Sequence, residues 1–355
     1  MVRFRITHWY LVLLILVGGF ASGCSMLRSD TLENAVRAED IKKVQNHLDA
    51  NANVNQTNHN GQTPLHLAAR KGYKEAAGML IGNRANVEAK DKQGRTPLHL
   101  AAMEGEAEMV DYLTDKGASL TSQDNTGQSP LHYAVLEDEY DVAYVLILKG
   151  AMVDIMDQKK WTPLYLACLN DRPKFVKLLI EKGAEVNPAS GPTPLIAAAW
   201  NDHTEVVKLL LDREASVQGP PNAIKTPMHM VAEKGFTDTA NILLDYMADP
   251  YIKDRSGKPP IYYATYHGHD DMVKLLISFG EDVTQIIPDG TTLLHLAAEK
   301  GHFDVAELLI EKGAVINAHD SEGNTPLEVA INHGHKKVAN AITEAAIDKM
   351  KAAGK

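Results

Sequence analysis

The amino-acid sequence predicts a mainly α-helical solenoid built from stacked helix-turn-helix units, and two observations carry this prediction. The first is a repeated phrase, Thr-Pro-Leu-His-Leu-Ala-Ala at residues 96–102, whose clearest copies begin at evenly spaced positions, Thr63, Thr96, Ser129 and Thr162. A fixed period of about 33 residues is the signature of stacked supersecondary units. The second is composition: aromatic residues make up only 6% of the chain, and small alanines recur in the phrase, which suits short helices that pack closely.

Weaker copies extend the repeat over almost the whole chain. They begin at Thr193, Thr226, Pro259, Thr292 and Thr325. The step from Thr162 to Thr193 is slightly shorter than the others, and every later step has the regular length again. One repeat length before Thr63 lies Asp30. The residues from Asp30 onward keep only the apolar positions of the phrase, as expected of a polar capping repeat. We therefore predict about ten units over residues 30–350 and a frayed tail over residues 351–355.

The residue types within one unit have clear local roles. Thr96 can cap a helix N-terminus with its hydroxyl group, and Pro97 suits the first helical position. The apolar residues of the phrase fall at i, i+3 and i+4, so they share one face of a short helix. Gly105 offers the left-handed conformation that ends it. A second helix, clearest at residues 205–211, and a turn such as residues 91–94 complete the unit. One unit cannot bury its apolar face alone, but a stack of ten can.

This phrase and its period resemble the ankyrin repeat, whose signature is T-P-L-H-x-A with a period of about 33 residues. The resemblance implies an ankyrin-repeat solenoid of helix-turn-helix units with short β-hairpin-like turns. It also implies that the histidine of the phrase supports the hydrogen bonding of neighbouring turns. Those histidines are His66, His99, His132, His229 and His295. The regular turns give way to irregular ones at residues 187–192, 218–225 and 285–289, which predicts a weaker segment around repeats six to eight.

The first 23 residues have the layout of a secretory signal peptide. Arg3 and Arg5 form a positive start, residues 9–20 are an apolar run of 12, and the small residues 21–23 precede Cys24. The alternative is an uncleaved membrane helix. A helix of 12 residues rises only about 18 Å, which is short of the roughly 30 Å hydrocarbon core of a bilayer. Export and cleavage are therefore the favoured interpretation.

The end of this segment resembles a bacterial lipobox, in which the cysteine after the small residues becomes lipid-modified. We therefore predict a lipidation site at Cys24 and a short tether over residues 24–29. Loss of Arg3 and Arg5 would change the formal charge of the chain from −10 to −12. By resemblance to enteric lipoproteins, Ser25 indicates the outer membrane. The predicted location is the bacterial cell envelope, where the array would be anchored through the lipid on Cys24.

Several classes of function find little support in the sequence. The formal charge of −10 argues against nucleic acid as a partner. Catalytic motifs such as G-x-S-x-G and H-E-x-x-H are absent, and so is a phosphate-binding Gly-rich loop. The pairs His267/His269 and His333/His335 suggest metal, but neither has a third ligand nearby in sequence. We therefore predict no catalytic residue, no metal site and no cofactor, and keep a metal-dependent enzyme only as a weak alternative.

The position seven residues after the start of each phrase predicts a binding surface. In ankyrin proteins this position faces the concave groove, where partners usually bind, and it is normally polar. Here repeats three to six place Met103, Leu136, Leu169 and Trp200 there. Trp161, just before a phrase, and Tyr266, three repeats past Leu169, extend the set. If these side chains face outward, the repeat core does not need them, and exposed apolar patches with tryptophan are typical of binding sites.

The sequence thus predicts a non-enzymatic protein-binding module, exported and lipid-anchored, that holds a protein partner in its groove. Two roles remain open: an envelope scaffold, and, as the alternative, an immunity- or inhibitor-type lipoprotein that blocks an exported toxic enzyme. The alternative to the binding site is that its apolar side chains bury themselves against the neighbouring repeat. The identity of the partner does not follow from the residues, because ankyrin surfaces accept many partners.

Overall fold

The computed structural model describes residues 30–220, 224–287 and 290–353, and these residues form twenty helices. They pair into ten repeats, numbered along the chain. The first helices of the repeats are α1 (Leu32–Arg37), α3 (Pro64–Arg70), α5 (Pro97–Met103), α7 (Pro130–Leu136), α9 (Pro163–Leu169), α11 (Pro194–Trp200), α13 (Pro227–Lys234), α15 (Pro260–His267), α17 (Leu293–Lys300) and α19 (Pro326–Asn332). The second helices are α2 (Ile41–Asp49), α4 (Lys74–Gly82), α6 (Ala107–Asp115), α8 (Tyr140–Leu148), α10 (Pro173–Glu181), α12 (Thr204–Leu211), α14 (Thr237–Asp245), α16 (Asp270–Ser278), α18 (Phe303–Glu311) and α20 (Lys336–Ala353).

The repeated phrase begins each first helix as the sequence predicts. Thr63 and Thr226 have extended backbones, and their hydroxyl groups accept the backbone N–H groups of His66 and His229, while proline occupies the first helical position. A residue in the left-handed conformation follows each first helix: it is a glycine in six repeats, as at Gly105 (φ +83°), and Glu39, Asp138, Asp171 or Asp202 in the other four. A mainly α solenoid of helix-turn-helix units, with no sheet among the described residues, is therefore confirmed.

The core is one continuous layer between the two rows of helices. First helices contact the first helices of neighbouring repeats, and second helices contact second helices. The alanines of the phrase, such as Ala101 and Ala102, are fully buried, so successive first helices approach closely. The leucines of the clearest phrases are also buried, as at Leu98, Leu131 and Leu164. Burial of each such leucine contributes roughly 1.5–3 kcal/mol relative to exposure.

Tight turns join one repeat to the next. In the turn at residues 91–95, the Asp91 carboxylate accepts the backbone N–H groups of Gln93 (3.0 Å) and Arg95 (2.9 Å), and the Asp91 N–H donates to the Arg95 carbonyl (2.9 Å). Neighbouring turns also bond to each other: the Lys92 N–H donates to the Asn60 carbonyl (3.0 Å). These turns are hairpin-like, although the described residues contain a single isolated β-bridge, between Ile286 and Thr292.

The histidines of the phrase connect each repeat to the following turn, which confirms the predicted role. In repeat three, the Thr96 N–H donates to Nδ1 of His99 (3.1 Å), so Nε2 carries the proton and donates to the Gln128 carbonyl (3.1 Å). The same bridge joins His66 to Arg95, His132 to Trp161, His229 to Lys258 and His295 to Asn324, at 2.9–3.0 Å. Each bridge ties the first helix of one repeat to the turn that leads into the next.

The histidine bridges are missing where the turns are irregular. Tyr165, Ile196 and Tyr262 replace the histidine in repeats five, six and eight, and the next turn is irregular in all three cases. In repeat six the loss also leaves the Thr193 hydroxyl group buried with no hydrogen-bond partner among the described residues. The sequence irregularities therefore coincide with breaks in one hydrogen-bonding series.

The two ends of the array differ. Repeat one begins at N-cap Thr31, and its helices expose much of their surface, as expected of a capping repeat. At the other end, α20 runs through Ala353 and so enters the segment predicted to fray. The predicted signal peptide, the tether and Cys24 lie outside the described residues. Within the residues that the structure describes, no helix is long and apolar enough to cross a membrane.

Candidate protein-binding surface

The four apolar residues of repeats three to six occupy equivalent positions in the structure. Met103, Leu136, Leu169 and Trp200 are the last residues of α5, α7, α9 and α11. Because the first helices of consecutive repeats contact each other, these four residues form a row along the array, which we call the groove row. Tyr266 occupies the same position in repeat eight, next to the last residue of α15.

The residues predicted to bind differ in exposure. Trp200 is 39% exposed and Tyr266 is 36% exposed, whereas Met103 is half-buried. Leu136, Leu169 and Trp161 are also half-buried, and they pack against the core. The expectation that the repeat core does not need these side chains is therefore wrong for Leu136, Leu169 and Trp161, because all three pack against core residues. Within the groove row, Leu136 and Leu169 thus pack against the core, whereas Met103 and Trp200 do not.

Each aromatic ring of this surface is covered by a lysine. The ammonium nitrogen lies 4.4 Å from the ring centroid for Lys159 over Trp161, 4.3 Å for Lys234 over Trp200 and 4.4 Å for Lys300 over Tyr266. A cation over an aromatic face is attracted by about 0.5–1 kcal/mol at an exposed site. The aromatic surface is therefore apolar at its ring edges and positively charged above its ring faces.

These lysines were missed by the sequence analysis, although a signal for two of them exists. Trp200 and Tyr266 stand seven residues after the start of their phrases. Lys234 and Lys300 stand eight residues after the start of the phrase in the next repeat. The same relation joins Arg70 to Glu104 in an ion pair (2.8 Å). A side chain at this position thus contacts the next repeat, and reading the repeats in pairs reveals the lysine.

A second cluster of aromatic and charged groups lies in repeats seven and eight. Lys225 pairs with Glu233 (2.5 Å) and lies 3.8 Å from the centroid of the Tyr263 ring. Tyr262 and Tyr266 stack with their centroids 6.1 Å apart, and Lys258 donates to the Tyr262 hydroxyl group (2.9 Å). The polar Glu233 therefore does not interrupt the surface between Trp200 and Tyr266, since it belongs to an ionic and aromatic network.

Hydrogen bonds to carboxylates fix the tyrosines of this face. Tyr263 donates to Asp254 (2.5 Å), and Tyr133 donates to Asp124 (2.8 Å). Burial, with the hydrogen bond to the carboxylate second, raises the pKa of both tyrosines, so both remain protonated donors. Burial also acts to raise the pKa of Asp124 and Asp254, but the hydrogen bonds that these carboxylates accept outweigh it and lower both.

The histidine pairs have structural partners. His267 and His269 stack with centroids 6.1 Å apart, but Nε2 of His269 bonds to the Glu233 carbonyl (3.0 Å). His335 bonds in the same way to the Glu299 carbonyl (3.0 Å). Among the described residues, no three His, Cys, Asp or Glu side chains are placed to hold a metal ion. Cys168 is fully buried and burial raises its pKa, so its thiol is a small packed group.

A cavity of about 320 Å³ lies at the other end of the array. Its lining residues are Asn34, Arg37, Leu67, Arg70 and Lys71. None of the six residues predicted to contact a partner lines it. The groove row lies at the surface, where Trp200 is exposed and Met103, Leu136 and Leu169 are partly exposed.

A stack of helix pairs that presents such a surface defines a protein–protein interaction module, a class that is typically non-enzymatic. The family model described as "Ankyrin repeats (3 copies)" matches residues 32–124, 88–157, 131–223, 217–287 and 279–352. The chain therefore belongs to the ankyrin-repeat family. No curated protein matches it.

Proposed function

We propose that this protein binds a protein partner along the groove row, with Met103, Leu136, Leu169 and Trp200 as contacts and Trp161 and Tyr266 at the margins. The observation that supports the proposal most directly is the occurrence of apolar side chains at one normally polar position in four consecutive repeats. Leu136 and Leu169 already rest on the core, so their remaining surface is held rigidly. Rigid, partly buried anchors lose little conformational freedom when they bind.

The lysines over the rings indicate the chemistry of the partner. Lys159 and Lys234 hold positive charge beside the apolar row, although the whole chain carries a formal charge of −10. A partner that places acidic side chains next to apolar ones would contact both features. Electrostatic complementarity of this kind favours the correct partner and the correct register.

Alanine substitution of two contacts tests the proposed site. Trp200 and Met103 are the suitable pair, because neither packs against the core as Leu136 and Leu169 do. Truncation of a large interface anchor costs about 2 kcal/mol or more, so the variant Trp200→Ala/Met103→Ala should bind at least tenfold more weakly, since 1.4 kcal/mol corresponds to about tenfold. Its melting temperature should remain close to that of the wild type.

The assay is capture from a detergent extract of bacterial envelopes, followed by affinity measurement with the purified partner. Met247→Ala is the matched control, since Met247 is an apolar side chain that is 83% exposed in the turn after α14. A partner that is retained by wild type and control but lost by the double variant supports the site. Equal affinity of all three proteins would place the binding surface elsewhere.

We further propose that the protein is exported and anchored in the bacterial envelope through lipid on Cys24. The support is the positive start at Arg3 and Arg5, the apolar run over residues 9–20 and the small residues before the cysteine. Metabolic labelling with a fatty-acid probe should label the wild type but not Cys24→Ser. Equal labelling would refute lipidation at this residue, and residues 9–20 retained on the mature chain would refute cleavage.

A further inference from the structure

The outer face of repeat four is unlike that of the other repeats. Along α8 and the turn after it, Tyr140 is 38% exposed, Tyr144 42%, Leu148 60% and Met152 58%. Tyr140, Tyr144 and Leu148 are spaced four apart on α8, so they form one stripe, which Met152 follows in the turn after the helix; we call these four residues the α8 stripe. Asp141 is the only charged residue within α8.

The other second helices show that this stripe is not required by the fold. The residues equivalent to Tyr144 are Gly78, Asp111, Lys177, Lys208, Asn241, Lys274 and Glu307. The residues equivalent to Leu148 are Gly82, Asp115, Glu181, Asp212, Asp245, Ser278 and Glu311. Every other repeat from two to nine thus has a glycine or a polar residue at both positions. Four large apolar side chains on an otherwise polar surface mark an interaction site.

The charges beside the stripe differ in sign on its two sides. On α6, in the preceding repeat, Glu108 is exposed and Asp111 lies one helical turn further on. On α10, in the following repeat, Lys174 and Lys177 are exposed at the equivalent positions. The flank before the stripe is therefore acidic, whereas the flank after it has two lysines and, at the end of α10, the exposed Glu181.

This arrangement is complementary to itself. We propose that the α8 stripe is the contact surface of a symmetric dimer, in which the two-fold axis runs parallel to α8. The axis places the two α8 helices side by side and parallel, with α6 of each copy opposite α10 of the other. Glu108 then faces Lys174 of the partner subunit, and Asp111 faces Lys177 of the partner subunit. Asp115 faces Glu181 of the partner subunit, but Asp115 is already paired with Lys149 of its own copy (2.7 Å). An isologous interface needs just such a self-complementary patch.

The charges also disfavour the other symmetric arrangement. A two-fold axis across the helices would place α6 opposite α6 and α10 opposite α10, with the helices antiparallel. With the axis at the level of Tyr144, Asp111 would face Asp111 of the partner subunit and Glu108 would face Asp115 of the partner subunit, whereas on α10 only Lys174 would face an opposite charge, Glu181 of the partner subunit. Like charges juxtaposed across an interface are unfavourable. Lys149 already pairs with both Asp111 and Asp115 at 2.7 Å, and a carboxylate can accept a further donor from the partner subunit.

The first test measures self-association of the purified full-length chain in detergent by sedimentation velocity over a wide concentration range. The wild type should shift from monomer to dimer as concentration rises. Tyr144→Glu/Leu148→Glu should remain monomeric, because it places four carboxylates at the axis. Lys208→Glu/Asp212→Glu carries the same residues at the equivalent positions of repeat six and should dimerise like the wild type. A wild type that stays monomeric at every concentration would overturn the proposal.

Charge reversal tests the axis and does not alter the stripe. Glu108→Lys and Lys174→Glu should each raise the dimer dissociation constant several-fold, since each places like charges opposite one another twice. The double variant Glu108→Lys/Lys174→Glu should restore the wild-type dissociation constant. Failure of the double variant to restore it would show that the axis is wrong.

Flotation with phosphatidylcholine vesicles provides the competing outcome. If the wild type binds vesicles through Tyr144 and Leu148 but does not self-associate, the stripe is a membrane surface and the proposal fails. The proposed dimer does not depend on the groove row, so Trp200→Ala/Met103→Ala should dimerise normally. Loss of partner binding and loss of dimerisation are thereby distinguished.

Discussion

The histidine bridges should make the stability of the array depend on pH. Nδ1 of His99 accepts a hydrogen bond from the Thr96 N–H, and Nε2 donates to Gln128. A proton on Nδ1 would remove the first bond and place a charge in the core. Burial, which disfavours the charged ring, lowers the pKa of His99 to about 4. Burial likewise lowers the pKa of His66, His132 and His229.

The direction of the change in stability with pH follows from the number of protons bound by the folded and unfolded states. The unfolded chain binds a proton on His99 near pH 6.5, whereas the folded chain binds it only near pH 4, so the unfolded state holds more protons between these values. The stabilising contribution is complete above pH 6.5 and is lost as the pH falls toward 4. Lowering the pH from 7 to 5 should cost about 2 kcal/mol of unfolding free energy from His99 alone.

The assay is urea denaturation of the wild type and of His99→Gln at closely spaced pH values from 7 to 4.5. Glutamine does not titrate, so the variant should be less stable at pH 7 but should lose about 2 kcal/mol less on acidification to pH 5. His59→Gln is the control, because His59 is exposed and outside the bridges. If His99→Gln shows the same pH slope as the wild type, the assignment of the acid sensitivity to the bridges is wrong.

Two further predictions concern local stability. Hydrogen exchange should be fastest between Pro188 and Pro260, because Tyr165 and Ile196 leave the turns after them without a histidine bridge; uniformly slow exchange there would contradict this. Gly94→Ala should destabilise the protein by roughly 1–3 kcal/mol, because φ is +80° and a Cβ would lie 2.7 Å from the Asn125 backbone nitrogen. Gly82→Ala, in a helix with open space around it, should instead stabilise by about 0.4–1 kcal/mol, and equal melting temperatures for the two variants would refute the distinction.

The fold could be predicted from the sequence because the same signals for the start and end of a helix recur in most of the repeats. Thr96 and Pro97 specify a helix start, Gly105 specifies its end, and the fixed period places the next unit beside the last. The role of the phrase histidines was also predictable, because the family supplies it. The distribution of the bridges was not recognised, although the substitutions Tyr165, Ile196 and Tyr262 stand in the repeats directly before the irregular turns.

The surface was less predictable, because side-chain direction depends on the neighbouring repeat. Leu136 and Leu169 stand at a position that is normally polar, and only the packing of the helices beneath them shows that they lean onto the core. The lysine over Trp200 comes from the next repeat along the chain. The α8 stripe was overlooked because Tyr144 and Leu148 look like core residues until the other second helices are compared with them.

The breaks in the histidine series also determine where the array can bend. Bridges join repeats two to four to the turns that follow them, so this segment should behave as a stiff rod, whereas the joints after repeats five and six lack the same tie. The groove row runs from Met103, in the stiff segment, to Trp200, beside the first unbridged joint. A partner that contacts both Met103 and Trp200 must fix the curvature of the solenoid at that joint. The free energy needed to bend the joint should therefore reduce the affinity for this partner.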